Sequence, residues 1–396
     1  MKNLLLFLII IPLNVFALTL PEINSKYAFI YDKTDDKVLF EKNSNEKTYI
    51  ASLTKIATTI TAIENINNLN EEVIITRDIL NTVSPIASIA GLKVGDKLTY
   101  KDLLYASIVP SGADATNSLA ILSSGTIDNF VNKMNELANK IQLNNTHFVN
   151  VTGLDIDNHY STASDLGKLL SYALDNDVFR EVFTTKDYTL SNNLKVRSTL
   201  YIYNKKLNSD LSPILGSKTG YTKKAGYSIA TLSNANGHEI IMILLNAPFE
   251  DQVPYHIIDD LKLINFMNKN FNNQVLFKKG TFIKEIPVNY SNIDSYKIKV
   301  HNDIVKYLPN DYDRNLVSYK YEGLEELNFN NRENEIIGEV SYYYDDKLVS
   351  KEEIRLEEVL KISYIKILKH YYYIFIIIFV LLLLLITLKV LKKENA

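Results

Sequence analysis

A hydroxyl and an amine three residues apart on a helix share one face. A lysine whose pKa is lowered by burial or by a neighbouring cation can then act as general base toward that hydroxyl. The spacing Ser-x-x-Lys occurs at Ser44…Lys47, Ser52…Lys55 and Ser363…Lys366. The first lies in the polar loop KNSNEK, and the third adjoins a long apolar segment. Only Ser52 opens a helix-forming stretch rich in Ala, Ile and Thr, one that could be buried behind a cleft, and the spacing alone assigns no role. A second element is Lys218-Thr219-Gly220, which leads into a β-rich run. A strand edge carrying Lys and Thr can bind a carboxylate, and Gly lets the backbone approach a reacting carbonyl. Taken alone, the same tripeptide reads equally well as a turn.

The remaining composition narrows the chemistry. The 396 residues contain no Cys, which excludes thiol catalysis, disulfides, iron–sulfur clusters and cysteine zinc sites. A formal net charge of −3 argues against a nucleic-acid binder driven by bulk charge. His238-Glu239 lacks the helical H-E-x-x-H of zinc peptidases, and neither a dinucleotide fingerprint nor a P-loop is present. No metal and no cofactor is therefore expected. His147 and His159 read as structural.

Stepping outward to the elements, YAFIYDKTDDKVLF (27–40) predicts a hairpin and Ser52–Ile66 a helix. Residues 102–122 predict two helices broken at Pro110, and 127–140 an amphipathic helix with Phe130, Met134 and Ala138 on one face. A second hairpin turns at Asn234-Ala235-Asn236-Gly237, just beyond the tripeptide at 218. Strands at both ends with helices between make an α+β pattern over 25–270. Residues 274–358 offer short β-rich runs without a long helical period, so a small all-β domain is expected there.

The two ends point to a membrane. Residues 1–17 combine one Lys, an apolar run and Val15-Phe16-Ala17, a signal-peptide pattern with cleavage expected after Ala17. An uncleaved N-terminal anchor is the alternative, and both export the bulk of the chain. Residues 371–388 carry no charge, and eighteen helical residues span about 27 Å, close to the hydrocarbon core of a bilayer. Lysines balance on the two sides of that segment, so the signal peptide sets the orientation. The expected order is signal peptide 1–17, catalytic domain 18–272, β domain 273–358, juxtamembrane segment 359–370, transmembrane helix 371–388 and cytoplasmic tail 389–396.

In their order and spacing these motifs follow the S-x-x-K and K-T-G set of penicillin-recognising serine enzymes. The chain resembles the low-molecular-mass penicillin-binding proteins, the serine D-alanyl-D-alanine carboxypeptidases of peptidase family S11. The resemblance rests on Ala51-Ser-Leu-Thr-Lys55, GLKVGDKLTYKDLLYASIVPSGADATNSLA (91–120), THFVNVTGLDIDNHYSTASDLGKLL (146–170) and KTGYTKKAGYSIA (218–230). It implies an α+β, serine β-lactamase/DD-peptidase-like domain with an antiparallel sheet and a helical cluster, followed by a small all-β domain and a C-terminal transmembrane helix. It also implies roles: Ser52 attacks the carbonyl of the penultimate D-Ala, Lys55 takes its proton, and Ser111 relays a proton to the leaving amine. Lys218 and Thr219 would hold the terminal carboxylate, with Lys218 helping to keep Lys55 neutral. Gly220 allows close approach, and the N–H groups of Ser52 and Tyr221 form the oxyanion hole. The implied partners are peptidoglycan stem peptides ending in D-Ala-D-Ala, β-lactams as covalent inhibitors, and the cell membrane, with the catalytic domain outside.

One position departs from the family. Its middle motif is Ser-x-Asn, and here it is Ser111-Gly112-Ala113. The departure keeps open a catalytically weak peptidoglycan-binding protein of the same fold. A β-lactamase is a further alternative, but no persuasive E-x-x-L-N segment supports it.

Overall fold

Apolar runs without alternation form strands covered on both faces, and the sequence places such runs at the two ends of the first unit. The computed structural model describes residues 20–394, with 390–394 described by backbone alone; the expected signal segment and its cleavage site at Ala17 lie outside the described residues. The first unit extends to Phe271. The strands of its main sheet are β1 (Tyr27–Asp32), β2 (Lys37–Lys42), β3 (Ile214–Thr222), β4 (Gly226–Ala235) and β5 (His238–Ala247). They form one antiparallel sheet in the order β2-β1-β5-β4-β3. The run IIMILL in β5 is buried throughout, as a central strand demands. β3, which carries Lys218-Thr219-Gly220, is an edge strand.

The longer helices are α1 (Thr54–Asn65), α2 (Tyr100–Ile108), α3 (Ala113–Ser124), α4 (Ile127–Lys140), α5 (Ala163–Leu174) and α6 (Tyr255–Asn270). Three of these helices start at side-chain caps, which satisfy otherwise orphaned amides. Thr99 and Asp102 form a capping box on α2, while Thr126 and Thr162 cap α4 and α5. Residues 54–62 of α1 are all buried, so this helix runs through the core and carries Lys55 with it. The α5 helix lies against β1, where a Cβ at Gly167 would stand 2.4 Å from the Phe29 ring. On α6, the Asp259 carboxylate accepts the amides of Asn24 and Ser25 at 3.0 and 2.7 Å, which fastens the chain ahead of β1.

The second unit covers Asn272 onward. Its strands are β6 (Phe271–Phe277), β7 (Phe282–Asn289), β8 (Ser295–Lys299), β9 (Ile304–Pro309), β10 (Val317–Gly323), β11 (Leu327–Asn328), β12 (Ile336–Tyr344) and β13 (Lys347–Arg355). Sheets β8-β7-β11 and β10-β12-β13 enclose a core that includes Ile286, Ile298, Leu327, Val340 and Tyr342. The juxtamembrane stretch contains a helix, α7 (Tyr364–His370), where Lys366 Nζ pairs with Asp294 at 2.7 Å. It is followed by α8 (Tyr372–Glu394). Residues Tyr372–Lys389 have a mean hydropathy of 2.7 and none of them is buried, so this helix is long and apolar enough to cross a membrane. The stretch begins one residue after the expected 371, because Tyr371 closes α7.

Candidate active site

Ser52 occupies a 3₁₀ turn, Ala51–Leu53, that leads directly into α1. The i, i+3 spacing brings Lys55 Nζ to 2.9 Å from Ser52 Oγ. The same amine donates to the Thr152 carbonyl at 3.0 Å. Lys55 is completely enclosed, and burial pushes its ammonium down to about 7, against a pull upward from Asp114. An amine held there is neutral in an appreciable fraction at neutral pH and can accept the Ser52 proton.

The turn before Ser52 is strained. Ala51 has φ +47, a left-handed conformation that costs a residue with a Cβ about 1–3 kcal/mol. Neighbouring groups hold it in place. Thr54 Oγ1 donates to the Ala51 carbonyl at 2.9 Å, and His159 Nε2 lies 2.8 Å from the same hydroxyl. The Val149 amide donates to His159 Nδ1 at 3.0 Å, so the ring proton sits on Nε2 and points at Thr54. Burial pushes His159 down to about 4, which keeps it neutral for this purpose. Thus His159 is structural, as read from the sequence, but what it supports is the nucleophile's turn.

Ser111 lies between α2 and α3 with φ +64, and its buried hydroxyl finds no hydrogen-bond partner among the described residues. The departure at 113 leaves a buried methyl at the first position of α3. Asp114, next to it, accepts the amides of Ala90, Gly91 and Leu92 at 2.8–3.0 Å. One turn on, Asn117 Nδ2 donates to Thr82 Oγ1 and to the Thr82 carbonyl at 2.9 and 3.2 Å. The Asn117 amide nitrogen is therefore engaged by the 82 loop and does not replace the missing Asn.

On β3, Lys218 is also fully buried, and its Nζ donates to the Thr219 carbonyl at 2.8 Å. Burial, with Lys55 nearby, holds it well below the ordinary lysine range. Burial is the leading cause of the lowered Lys55, and the repulsion between the two buried lysines, which also lowers Lys218, is mutual. Thr219 Oγ1 lies 2.7 Å from Thr199 Oγ1. A Cβ at Gly220 would stand 3.0 Å from Ser52 N and 3.1 Å from Ala51 Cβ, so a side chain there would press on the turn. Tyr221 is partly exposed, with its ring 4.6 Å from Phe249 and 5.0 Å from Tyr227.

The fold thus gathers Ser52, Lys55 and the Lys218–Gly220 strand, and it leaves the other two Ser-x-x-Lys pairs apart. Ser44 Oγ donates to Glu41, and Lys366 is taken up by Asp294 and the Ile293 carbonyl. Asp32, Asp35 and His238 place ligand-type atoms within 4.8 Å of one another. Asp32 Oδ1 accepts the amides of Thr34 and Asp35, and Oδ2 pairs with His238 Nδ1 at 2.9 Å, an arrangement that clamps a hairpin turn. Sequence reasoning missed Thr199, Gly153 and the Thr152 carbonyl. Thr199 opens a short helix and Gly153 sits in a loop, neither in a motif of its own, and a backbone carbonyl leaves no mark in a sequence.

Comparison with known proteins places this geometry in context. The family model described as D-alanyl-D-alanine carboxypeptidase, peptidase S11, matches residues 14–249, and that of the penicillin-binding protein 5 C-terminal domain matches residues 271–362. The chain is 26% identical over 370 residues to the D-alanyl-D-alanine carboxypeptidase DacA of Escherichia coli, covering 89% of each chain. It is 29% identical over 272 residues to DacF of Bacillus subtilis, covering 67% of each. Among solved structures it is similar to penicillin-binding protein 5 of Haemophilus influenzae, at 25% identity and a TM-score of 0.62, covering 87% of this chain and 99% of that one. A Streptomyces DD-transpeptidase is similar at 30% identity and a TM-score of 0.57, over 63% of this chain and 98% of that one.

Proposed function

The chain belongs to the D-alanyl-D-alanine carboxypeptidase family, peptidase S11, and we propose that it removes the terminal D-Ala from peptidoglycan stem peptides outside the cell. In this reading Ser52 Oγ bonds to the carbonyl carbon of the penultimate D-Ala while its proton passes to Lys55. The peptide C–N bond then breaks, and the departing amine takes a proton relayed through Ser111. Water hydrolyses the resulting ester with Lys55 again as base, which restores Ser52. Lys218 and Thr219 hold the terminal carboxylate; a bound anion would return the charge to the buried Lys218 ammonium. The N–H groups of Ser52 and Tyr221 receive the charge that develops on the carbonyl oxygen. The observation that carries the reading is the 2.9 Å contact between Ser52 Oγ and a buried Lys55 lowered to about 7.

In the same reading α8 is the membrane anchor, supported by its length and apolar character, and the signal pattern at residues 1–17 supports an outside main body. β-Lactams acylate the same serine. Intact-mass measurement after penicillin exposure is the test: a single adduct is expected, absent in Ser52→Ala and in Lys55→Ala. An adduct that survives Ser52→Ala overturns the assignment. A second reading, a slow enzyme that mainly binds its peptide, is favoured by one observation, the methyl at Ala113 with Asn117 committed to Thr82. Adduct formation without measurable D-Ala release would select it.

A further inference from the structure

The contact with Thr54 uses one nitrogen of His159, and the other nitrogen faces a different part of the site. Nδ1 accepts the amide of Val149 at 3.0 Å and that of Asn150 at 3.4 Å. Asn150 in turn ties down the chain that follows it. Its Oδ1 accepts the amides of Thr152 and Gly153 at 3.1 and 2.7 Å, and its Nδ2 donates to the Leu154 carbonyl at 2.9 Å. This turn carries two groups that reach the Ser52–Lys55 pair. The Thr152 carbonyl accepts Lys55 Nζ, and Gly153 lies against the Ala51 carbonyl. On the opposite side of the ring, Nε2 meets Thr54 Oγ1, whose own proton goes to the Ala51 carbonyl just ahead of Ser52.

One imidazole thus stands between the turn that presents Ser52 and the loop that encloses Lys55. Only one form of the ring serves both sides. Nδ1 faces amide N–H groups and must keep its lone pair, so Nε2 carries the proton that Thr54 Oγ1 accepts. A doubly protonated ring would turn a donor toward those amides. Enclosure, with Phe148 edge-on at 5.9 Å and His147 as the titratable neighbour acting on the ring, keeps it neutral. Thr58 Oγ1 on α1 separately donates to the Val151 carbonyl at 2.7 Å, so the middle of the loop has its own support. What passes through the ring is the 149–150 end and, by way of Asn150, the setting of the Thr152 and Gly153 peptides.

Resting on the reading of Ser52 and Lys55 given above, we propose that His159 is a positioning residue for both at once. Its Nε2–H form holds the nucleophile's turn in register with the loop around the base, so a side chain that touches neither sets their contact.

The two arms can be cut one at a time. A carboxamide on the short Asn side chain falls where Nδ1 lies, so His159→Asn keeps the acceptor for the loop and drops Thr54. The longer Gln side chain reaches the place of Nε2, so His159→Gln keeps the donor to Thr54 and drops the loop. Thr54→Val and Asn150→Ala cut the same two arms without altering the ring, and they decide the matter if a ring variant fails to fold.

The test uses the full-length protein in detergent. It reads second-order penicillin acylation against pH, together with hydrogen exchange of residues 50–55 and 149–154. His159→Asn and Thr54→Val should speed exchange in 50–55 and slow acylation about tenfold, with the midpoint near 7 unmoved. Combining these two should add less than about twofold, because they remove one contact. His159→Gln and Asn150→Ala should speed exchange in 149–154 and raise the midpoint by about one pH unit, since burial lowers Lys55 and a loosened loop admits water. Asp114 on α3 and Lys218 on β3, the charged groups that face Lys55, are the same in every variant, so the midpoint difference reports the loop. Equal midpoints for the two arms, or faster exchange in both segments for every variant, would overturn the bridge and leave His159 a packing group. Unchanged acylation and exchange would overturn it outright. Exchange does not depend on acylation, so an unaltered protein that fails to label Ser52 would overturn the catalytic reading while the exchange pattern still decides the bridge.

Discussion

Gly153 passes so close to Ala51 that a Cβ on the glycine would stand 1.7 Å from the Ala51 carbonyl oxygen. The same glycine has φ +85, which residues with a Cβ rarely adopt. Two loops distant in sequence therefore meet at the one peptide that orients the nucleophile. Gly153→Ala is expected to displace the 51–53 turn, costing about 1–3 kcal/mol from the clash alone with the φ penalty in addition. The melting temperature should fall and penicillin labelling of Ser52 should be lost. A variant that melts and labels normally would show that the turn tolerates a shift.

The lowered Lys55 sets a pH dependence. The neutral amine is the active base, so acylation should rise with pH through a midpoint near 7, measured as the rate of penicillin adduct formation. Stability follows the same group. Its folded pKa lies below the ordinary 10.5, so between about 7 and 10.5 the unfolded chain binds more protons than the folded one. Lys55 therefore makes stability rise with pH across that window, and below about 7 its burial is a constant penalty. Lys55→Met, which keeps the length without the charge, should flatten this part of a melting-temperature-against-pH curve while abolishing acylation. An unchanged slope would place the origin elsewhere.

At Ala113 the space beside the methyl has not closed, so the family's carboxamide can be restored without heavy strain. If the amide contributes a hydrogen bond that tightens in the transition state, its absence costs about 1–3 kcal/mol. At 1.36 kcal/mol per tenfold, that corresponds to roughly 5- to 150-fold in acylation rate. Ala113→Asn should recover part of this, read as second-order penicillin acylation, with little change in melting. Normal melting without faster acylation would mean that the methyl is no defect.

Asp260 on α6 is wholly buried, with Oδ1 accepting Thr231 Oγ1 at 2.7 Å and Oδ2 without a partner among the described residues. Burial, with Asp259 beside it, raises it to about 7. Because the folded pKa exceeds 3.8, the folded state retains a proton that the unfolded chain has lost. Stability therefore falls as pH rises from about 4 to 7, and the penalty is complete above 7. Asp260→Asn keeps the acceptor for Thr231 and removes the charge, so it should raise the melting temperature at pH 8 and hardly change it at pH 4. An equal shift at both values would rule out ionisation as the cause.

The anchor is separable in sequence from the folded units. A protein comprising residues 18–360 should be soluble and should still label with penicillin, whereas the full chain should resist alkaline carbonate extraction from membranes. Release of the full chain by carbonate would mean that α8 lies on the bilayer and does not cross it.

Local pattern carried much of this protein into view from sequence. Ser52 and Lys55 are three residues apart, so helix geometry alone brings hydroxyl and amine together. The hairpins at 27–42 and 226–247, the break at Pro110 and the apolar 372–389 likewise depend on near neighbours. Their physics is short-ranged, and short-ranged physics is written in order along the chain. What tertiary structure decided is everything that depends on enclosure. Nothing near Lys55 in sequence says that its amine is wholly buried, that Thr152 holds it, or that burial lowers it. Nor does any local pattern show that His159 supports Thr54 and through it Ala51, or that Thr199 faces Thr219. Desolvation and close approach are properties of the space between segments, 105 residues apart for Thr54 and His159, and that space exists only once the chain has folded.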